Sequence, residues 1–191
     1  MIRGFSLSRI NHFLIEEPTW LEATQWPASA IPKNALTWLM EPHSLTLRIK
    51  KTFKQAFSLK LIEQGWSAPM LSEAQCLSET FNDDMLVREV LLKLGQQTYV
   101  FARTTLPKRI VTNVGELTDL GSKPLGEVIF AYPDLKRTKL EVAKVAAKQL
   151  KKSLIPELST EEFIWARRNH YQIEETTFLV SEFFLPAIYK T

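Results

Sequence analysis

The chain has 191 residues, of which 45% are hydrophobic and 24% are charged, and its formal net charge is +3. This length and balance predict one soluble globular domain with a sizeable core, and so small a net charge does not by itself suggest nucleic-acid binding. Cys76 is the only cysteine, which excludes an intrachain disulfide or a redox pair and is consistent with a reducing compartment.

No targeting or membrane-spanning segment is predicted. Arg3 and Arg9 interrupt the N-terminus before an apolar run of signal-peptide length develops. The longest apolar stretch, residues 178–189, is broken by Glu182 and Pro186 and falls short of the roughly 20 residues that a spanning helix needs. We therefore expect a cytoplasmic monomer with no stable membrane insertion.

A helical hairpin is predicted in the first third of the chain. From Pro32 to Met40 the apolar residues recur at helical spacing, and Glu41-Pro42 ends the pattern. Ser44 can cap a second helix whose apolar side carries Leu45 and Ile49. Two such short helices bury little surface by themselves, so we expect them to cover a sheet, either as a lid or as a permanent wall.

Two arginines are predicted to face each other across a hairpin. Residues 86–94 and 98–106 are strand-like and flank a turn at Gly95-Gln96. In the register that this turn sets, Arg88 lies opposite Arg103 on one apolar face, where like charges cost stability. The pair therefore predicts a bound carboxylate. The alternative is a three-residue loop, which shifts the register and turns one arginine to solvent.

The rest of the chain predicts more strands than helices. Residues 57–63 form a strand, and residues 163–173 and 176–185 form a second hairpin that turns at Glu174-Glu175. Residues 138–154 suit a helix or a strand equally well. Helical turns are expected around Cys76, over residues 115–121 and from Pro124. This arrangement indicates an α+β fold with an antiparallel sheet.

Glu182 is placed unusually, because both alternating faces of residues 178–185 are apolar. A carboxylate in such a segment is either paired with a cation or protonated. It either contacts a ligand or forms a structural ion pair with Arg88 or Arg103. The neighbours Arg167 and Arg168 point to opposite faces of their strand, so at most one of them can approach the same pocket.

Other chemistries have little support in the sequence. His12, His43 and His170 lie far apart with no acidic or cysteine partner at ligand spacing, so we expect no metal site. Signatures of dinucleotide, P-loop and serine-hydrolase chemistry do not occur, and Cys76 is not expected to act as a nucleophile. The basic run over residues 136–152 is either a solvated face or a surface for a membrane or polyanion.

Four motifs carry a resemblance to a known family. They are Leu86–Leu92, Ala102–Pro107, Leu120–Gly126 and Ser181–Pro186. In order and spacing they resemble the chorismate lyase family, with looser similarity from about Trp38 to the C-terminus. The resemblance implies a single domain over residues 1–191, a six-stranded antiparallel sheet and helical flaps over an enclosed ligand site. Residues 1–30 are then an N-terminal extension, residues 32–55 a flap, and residues 146–162 contain an insertion.

The resemblance also implies an activity and a site. Members of the family convert chorismate to 4-hydroxybenzoate and pyruvate, the entry step of ubiquinone synthesis, without a cofactor. By this resemblance Arg88 holds the ring carboxylate, Glu182 meets the phenolic hydroxyl, and main-chain groups of Leu45 and Leu125 complete the pocket. Arg88 and Glu182 are the expected catalytic residues. We assign Arg103 to the enolpyruvyl carboxylate of the substrate, and we expect slow product release with inhibition by 4-hydroxybenzoate.

A different class of function remains open on the sequence alone. The same sheet architecture is similar to the effector-binding domains of some transcription regulators, which implies a non-catalytic sensor or carrier of small aromatic acids. Nothing before Pro32 has the helix pattern of a winged DNA-binding module, so a sensor would need a separate partner. A peripheral membrane module that uses the basic run is a third reading.

Overall fold

An antiparallel sheet of seven strands organises the chain, in the order β1-β5-β6-β7-β4-β3-β2. The computed structural model describes residues 10–27, 29–80, 83–118, 120–121, 123–154, 158–159 and 162–190. The strands are β1 (Leu21–Glu22), β2 (Phe57–Ser67), β3 (Met85–Leu94), β4 (Gln97–Leu106), β5 (Lys136–Ala146), β6 (Phe163–Ile173) and β7 (Thr176–Phe184).

The α+β prediction is confirmed, with one strand more than the six expected. The extra strand is β1, which has two residues and pairs with Glu141 and Val142 of β5. All neighbouring strands are antiparallel. Within the described ranges five α-helices accompany the sheet: α1 (Lys33–Leu39), α2 (Leu45–Thr52), α3 (Leu71–Leu77), α4 (Lys108–Asn113) and α5 (Leu125–Ile129).

The first hairpin turns where the sequence predicts, but its register differs. Gly95 has a φ of +57°, as expected for a two-residue turn, and Leu94 pairs with Gln97. An irregularity then makes Lys93 pair with Thr98 and Leu92 with Val100, so that one residue of β4 is left over. The prediction that Arg88 faces Arg103 is therefore wrong.

The corrected register sends the two arginines to opposite faces of the sheet. Arg88 pairs with Thr104, and Arg103 pairs with Glu89. Neither arginine points to solvent, because both faces of the sheet are covered and both side chains are at most 2% exposed. The alternative reading, a three-residue loop with one arginine outside, is equally wrong.

The second hairpin and the ambiguous segment before it are now defined. Strands β6 and β7 turn at Glu174 and Glu175, whose φ angles are +46° and +65°, within one residue of the predicted bounds. The ambiguous segment is a strand up to Ala146, followed by two short 3-10 turns at Ala147–Gln149 and Lys152–Leu154. Residues 155–157 and 160–161 of the expected insertion lie outside the described residues.

Helices α1 and α2 form the predicted hairpin, and Ser44 accepts a hydrogen bond from the amide of Leu47 at the start of α2. They pack on the face of the sheet that carries Arg88, together with α4 and α5. We call this the cavity face. The expected helical turns at Cys76, at Gly115–Leu117 and after Pro124 are present, whereas α4 was not predicted.

The opposite face of the sheet, which we call the second face, is covered by α3 and by the segment that starts at Ile10. Phe13 of that segment is fully buried and stacks on Phe101 of β4, with ring centroids 4.1 Å apart. Leu14 forms a bridge with Leu150. Ile10, Phe13 and Leu14 of the N-terminal extension thus belong to the core. Arg3 and Arg9, on which the prediction about a signal peptide depends, lie outside the described residues.

None of the helices in the described part of the chain combines the length and the hydropathy needed to cross a membrane. In the basic run, Lys144 and Lys148 are exposed. Lys139 instead contacts the carboxylates of Glu22 and Glu141 at 3.3 and 3.1 Å.

Candidate active site

A cavity lies between the cavity face and the helices that cover it. The cavity has a volume of about 60 Å³, several times the roughly 10–15 Å³ that one water requires. Its floor comes from β3, β4, β6 and β7, and its roof comes from the first turns of α2 and α5. The residues that line the cavity include Leu45, Arg88, Leu125, Arg167, Tyr171 and Glu182.

Arg88 is a buried cation that has no carboxylate partner among the described residues. One terminal nitrogen, Nη2, donates to the carbonyl oxygens of Gly121 and Lys123, both at 3.0 Å, while Nε is buried and has no partner among the described residues. Burial lowers the pKa of this guanidinium from 12.5 to about 10, so it remains charged at neutral pH. A buried cation with a free donor is suited to a carboxylate of a ligand.

Glu182 is paired with Arg167, so the predicted structural ion pair with Arg88 or Arg103 is wrong. Arg167 Nε donates to Glu182 Oε2 at 2.5 Å, and Asn169 Nδ2 donates to the same oxygen at 3.2 Å. The pair arises because Arg167 lies directly opposite Glu182 in the β6–β7 register. These two hydrogen bonds hold the carboxylate in place at the cavity wall.

The two charged ends of the cavity lie at a fixed separation. Arg88 aligns with Thr104 and then with Val180, two residues before Glu182. Two strand spacings and two residue rises place the Cα atoms of Arg88 and Glu182 about 12 Å apart. Both side chains point into the same cavity, so a small ring-shaped ligand can contact both ends.

The roof of the cavity presents the first residues of two helices. Leu45 is the first residue of α2, and Leu125 is the first residue of α5. Amides in the first turn have no partner inside their helix and are available to a ligand. The helices nearly touch there, since a Cβ on Gly126 would lie 3.0 Å from Ser44 Oγ.

Tyr171 adds a neutral hydroxyl to the cavity. Burial, followed by the charge of Glu182, raises the pKa of this phenol to about 12. It therefore keeps its proton at neutral pH and can donate a hydrogen bond. The sequence analysis did not single out Tyr171, although strand alternation places it on the same face of β6 as Arg167, four residues away.

Arg103 does not line the cavity, which corrects its assignment to the substrate. On the second face its Nε and Nη2 donate to the two oxygens of Glu73 at 2.7 and 3.1 Å, and its Nη1 donates to Glu89 at 2.8 Å and to the carbonyl of Ile10 at 2.7 Å. Burial opposes its charge, but Glu73 and Glu89 raise its pKa overall. Its donors are occupied by the protein itself.

The second face also gathers Cys76, Glu141 and His170, whose potential ligand atoms lie within 4.8 Å of one another. The sequence analysis missed this group because its members are far apart along the chain. Glu141 already accepts from Arg168 at 2.7 Å and contacts Lys139 at 3.1 Å. A metal cation there would have to compete with these two charges.

Sequence reasoning thus identified four residues that do line the cavity, namely Leu45, Arg88, Leu125 and Glu182. It missed the role of Arg167, although it recognised that only one of Arg167 and Arg168 could reach the pocket. The signal that could have identified Arg167 is its position opposite Glu182 in a hairpin whose turn was predicted correctly.

Together the fold and the cavity define a class of protein: an α+β domain with a cavity lined by charged side chains between an antiparallel sheet and short helices. Comparison of the sequence with models of known families identifies the family within this class. The family model described as chorismate lyase matches residues 14–191, and the chain belongs to the chorismate lyase family.

Individual relatives agree with this assignment. A protein of Methylococcus capsulatus named "Probable chorismate pyruvate-lyase" is 34% identical over 153 residues, which cover 80% of this chain and 94% of that protein. A protein of the same name from Coxiella burnetii is 29% identical over 171 residues, covering 89% of this chain and 92% of that protein.

Similar solved structures come from transcription regulators. The effector domain of PhnF from Mycobacterium smegmatis has a TM-score of 0.54 and 15% identity, covering 78% of this chain and 91% of that chain. A GntR-family regulator from Bacillus cereus also has a TM-score of 0.54, with 16% identity, covering 69% and 92%. At these identities the comparison shows a shared fold alone.

Proposed function

We propose that the chain is a lyase that converts chorismate to 4-hydroxybenzoate and pyruvate, the first step of ubiquinone synthesis. The observation that carries the proposal is the cavity with Arg88 at one end and the carboxylate of Glu182 at the other, since the guanidinium of Arg88 has no carboxylate partner in the described ranges. Membership of the chorismate lyase family supports the same reaction.

The reaction needs orientation more than it needs a strong catalyst. The C3–O bond to the enolpyruvyl group breaks, C4 loses its hydrogen as a proton, and the C4–H electrons complete an aromatic ring. The proton ends on the departing enolpyruvate, which becomes pyruvate. Because aromatisation drives the reaction, an enzyme contributes mainly by holding the substrate and stabilising the charge that develops.

The cavity residues have distinct roles in this proposal. Arg88 binds the ring carboxylate through its free Nε, and the first-turn amides of Leu45 and Leu125 bind further oxygens of the ligand. Glu182 accepts from the C4 hydroxyl, either to polarise it or to relay a proton. Tyr171 is a second neutral donor in the same cavity.

The charges of the cavity favour retention of the product. Among the described lining residues Arg88 and Arg167 are cations and Glu182 is an anion, so one positive charge is unbalanced. The single carboxylate of 4-hydroxybenzoate neutralises it. Since the roof must move before the product can leave, we infer slow release and product inhibition, with motion of the helices over residues 32–55.

Incubation of the purified chain with chorismate tests the function. We expect pyruvate and 4-hydroxybenzoate in equal amounts, measured by a coupled assay for pyruvate and by chromatography for the aromatic product. If neither product forms while 4-hydroxybenzoate still binds, the chain is the sensor or carrier that the shared fold of the regulator domains also allows. The cytoplasmic location and the monomeric state remain predictions from the sequence.

A further inference from the structure

One terminal nitrogen of Arg167, Nη2, is available to a ligand in the cavity. Its Nε is used by Glu182, and its Nη1 donates to the carbonyl oxygens of Trp38, Leu39 and Glu41 at 3.2, 3.2 and 2.8 Å. Its Nη2 makes no hydrogen bond to any residue in the described ranges. Because a guanidinium is planar, Nη2 lies in the same plane as the two occupied nitrogens, on a side chain that lines the cavity. The cavity therefore contains a second cationic donor next to its carboxylate.

We propose that Arg167 binds the second carboxylate of the substrate, the one on the enolpyruvyl group, an inference that rests on the proposed function. In chorismate the ring carboxylate is on C1, the hydroxyl is opposite it on C4, and the enolpyruvyl ether is on C3. With the ring carboxylate on Arg88 and the hydroxyl at Glu182, the enolpyruvyl group lies at the Glu182 end of the cavity. Arg167 is the cation at that end.

This placement gives Arg167 a part in the reaction as well as in binding. When the C3–O bond breaks, its electron pair stays with the enolpyruvyl oxygen, and negative charge grows on the departing group. A fixed guanidinium beside that group stabilises the charge without reorganisation. The contact disappears with pyruvate, because 4-hydroxybenzoate has no second carboxylate. Arg167 therefore distinguishes the substrate from the aromatic product.

Binding of two unreactive ligands tests the inference. One is 4-hydroxybenzoate, and the other is 3-(carboxymethoxy)-4-hydroxybenzoate, an aromatic dianion whose second carboxylate hangs from an ether oxygen as in chorismate. Calorimetry with the wild type, Arg167→Gln and Arg167→Lys gives the two Kd values for each protein. We expect Arg167→Gln to weaken binding of the dianion at least about tenfold more than binding of 4-hydroxybenzoate.

The neighbour Arg168 supplies the matched control. It is equally buried but donates to Glu141 and Ser72 on the second face, so Arg168→Gln should leave the ratio of the two Kd values unchanged. Arg167→Lys keeps the charge and should retain more of the preference for the dianion than Arg167→Gln, with folding of each variant checked by thermal unfolding. If Arg167→Gln does not fold, Arg167→Met, which removes the charge but fills a similar volume, takes its place, and a ratio equal to that of the wild type overturns the inference.

Equal losses for both ligands in Arg167→Gln would also overturn the inference, because they would mean that Arg167 only positions Glu182. A wild type that binds 4-hydroxybenzoate but rejects the dianion would do the same. Failure of the proposed function is a separate result, seen as a wild type that releases no pyruvate from chorismate.

Discussion

At the scale of single residues, two buried arginines of one hairpin have opposite surroundings. Arg103 is held by Glu73 and Glu89, while Arg88 has two carbonyl partners and no carboxylate among the described residues. A buried cation that the protein leaves unpaired is costly for folding and available to a ligand. Arg103 is therefore a structural residue, and Arg88 has the properties of a binding residue.

Removal of the two guanidinium groups should therefore have different effects. In Arg88→Met the loss of two hydrogen bonds is offset by the removal of an unpaired buried charge, and we expect the free energy of unfolding to change by less than about 1 kcal/mol. In Arg103→Met two buried carboxylates lose their cation, and we expect a loss of about 3–5 kcal/mol. Urea unfolding measures both. A larger loss for Arg88→Met than for Arg103→Met would contradict this division of roles.

Substitution of Glu182 tests its part in proton transfer. We expect Glu182→Gln to lower kcat/KM by at least about 100-fold, because an amide cannot accept the proton. Glu116→Gln, which changes an exposed carboxylate, is the control for charge and folding. Near-normal turnover of Glu182→Gln would exclude an essential carboxylate base and favour transfer of the hydrogen within the substrate.

At the scale of elements, the sequence predicted turns better than it predicted pairing. Gly95 marks the first long hairpin because glycine readily adopts the positive φ of a two-residue turn, whereas the pair Glu174-Glu175 marks the second as a polar break between two strand-like runs. The irregularity between Lys93 and Leu92 has no comparable signature, and a shift of one residue exchanges the faces of every side chain beyond it. That single shift moved Arg103 out of the predicted site.

Residues 138–154 show a different limit of sequence reasoning. The apolar spacing of this segment suits a helix as well as a strand, and the strand forms because β6 offers a long partner that pairs from Lys136 to Ala146. Pairing with β6, which is not a local signal, therefore determines that this segment forms a strand and not a helix. The helical hairpin was predictable because the cap at Ser44 and the stop at Pro42 are local signals.

Helix α3 is fixed to the sheet by a carboxylate whose ionisation depends on pH. Burial opposes the charge of Glu73, but Arg103, the amide of Met70 and the hydroxyl of Thr105 together lower its pKa below the ordinary 4.5. A lowered pKa means that the stabilisation is complete above 4.5 and disappears as the pH falls through the folded-state value.

Comparison with Glu73→Gln isolates this contribution. At pH 7 we expect the variant to be less stable by about 2–3 kcal/mol, since Arg103 loses a buried charged partner. The difference should shrink steadily below pH 4.5, because the wild type then loses the same contribution. Chemical unfolding at a series of pH values measures it, and a difference that stays constant down to acid pH would contradict the assignment.

At the scale of the whole molecule, the two faces of one sheet have different tasks. On the second face the buried charges are paired with one another and with the segment from Ile10 to Leu14. On the cavity face Arg88 has no carboxylate partner within the described part of the chain, and short helices cover the space above it. The same fold occurs in effector domains of regulators, so function here depends on the cavity residues and not on the architecture.

Inhibition by 4-hydroxybenzoate is the most direct measurement of whether Arg88 and Glu182 bind one aromatic acid between them. We expect competitive inhibition of chorismate turnover by the wild type and by Arg109→Met, which removes an exposed arginine. In Arg88→Met we expect the inhibition constant to rise about 30-fold or more, as for the loss of a buried charged partner. Weak inhibition of the wild type, or an inhibition constant that Arg88→Met leaves unchanged, would contradict the account.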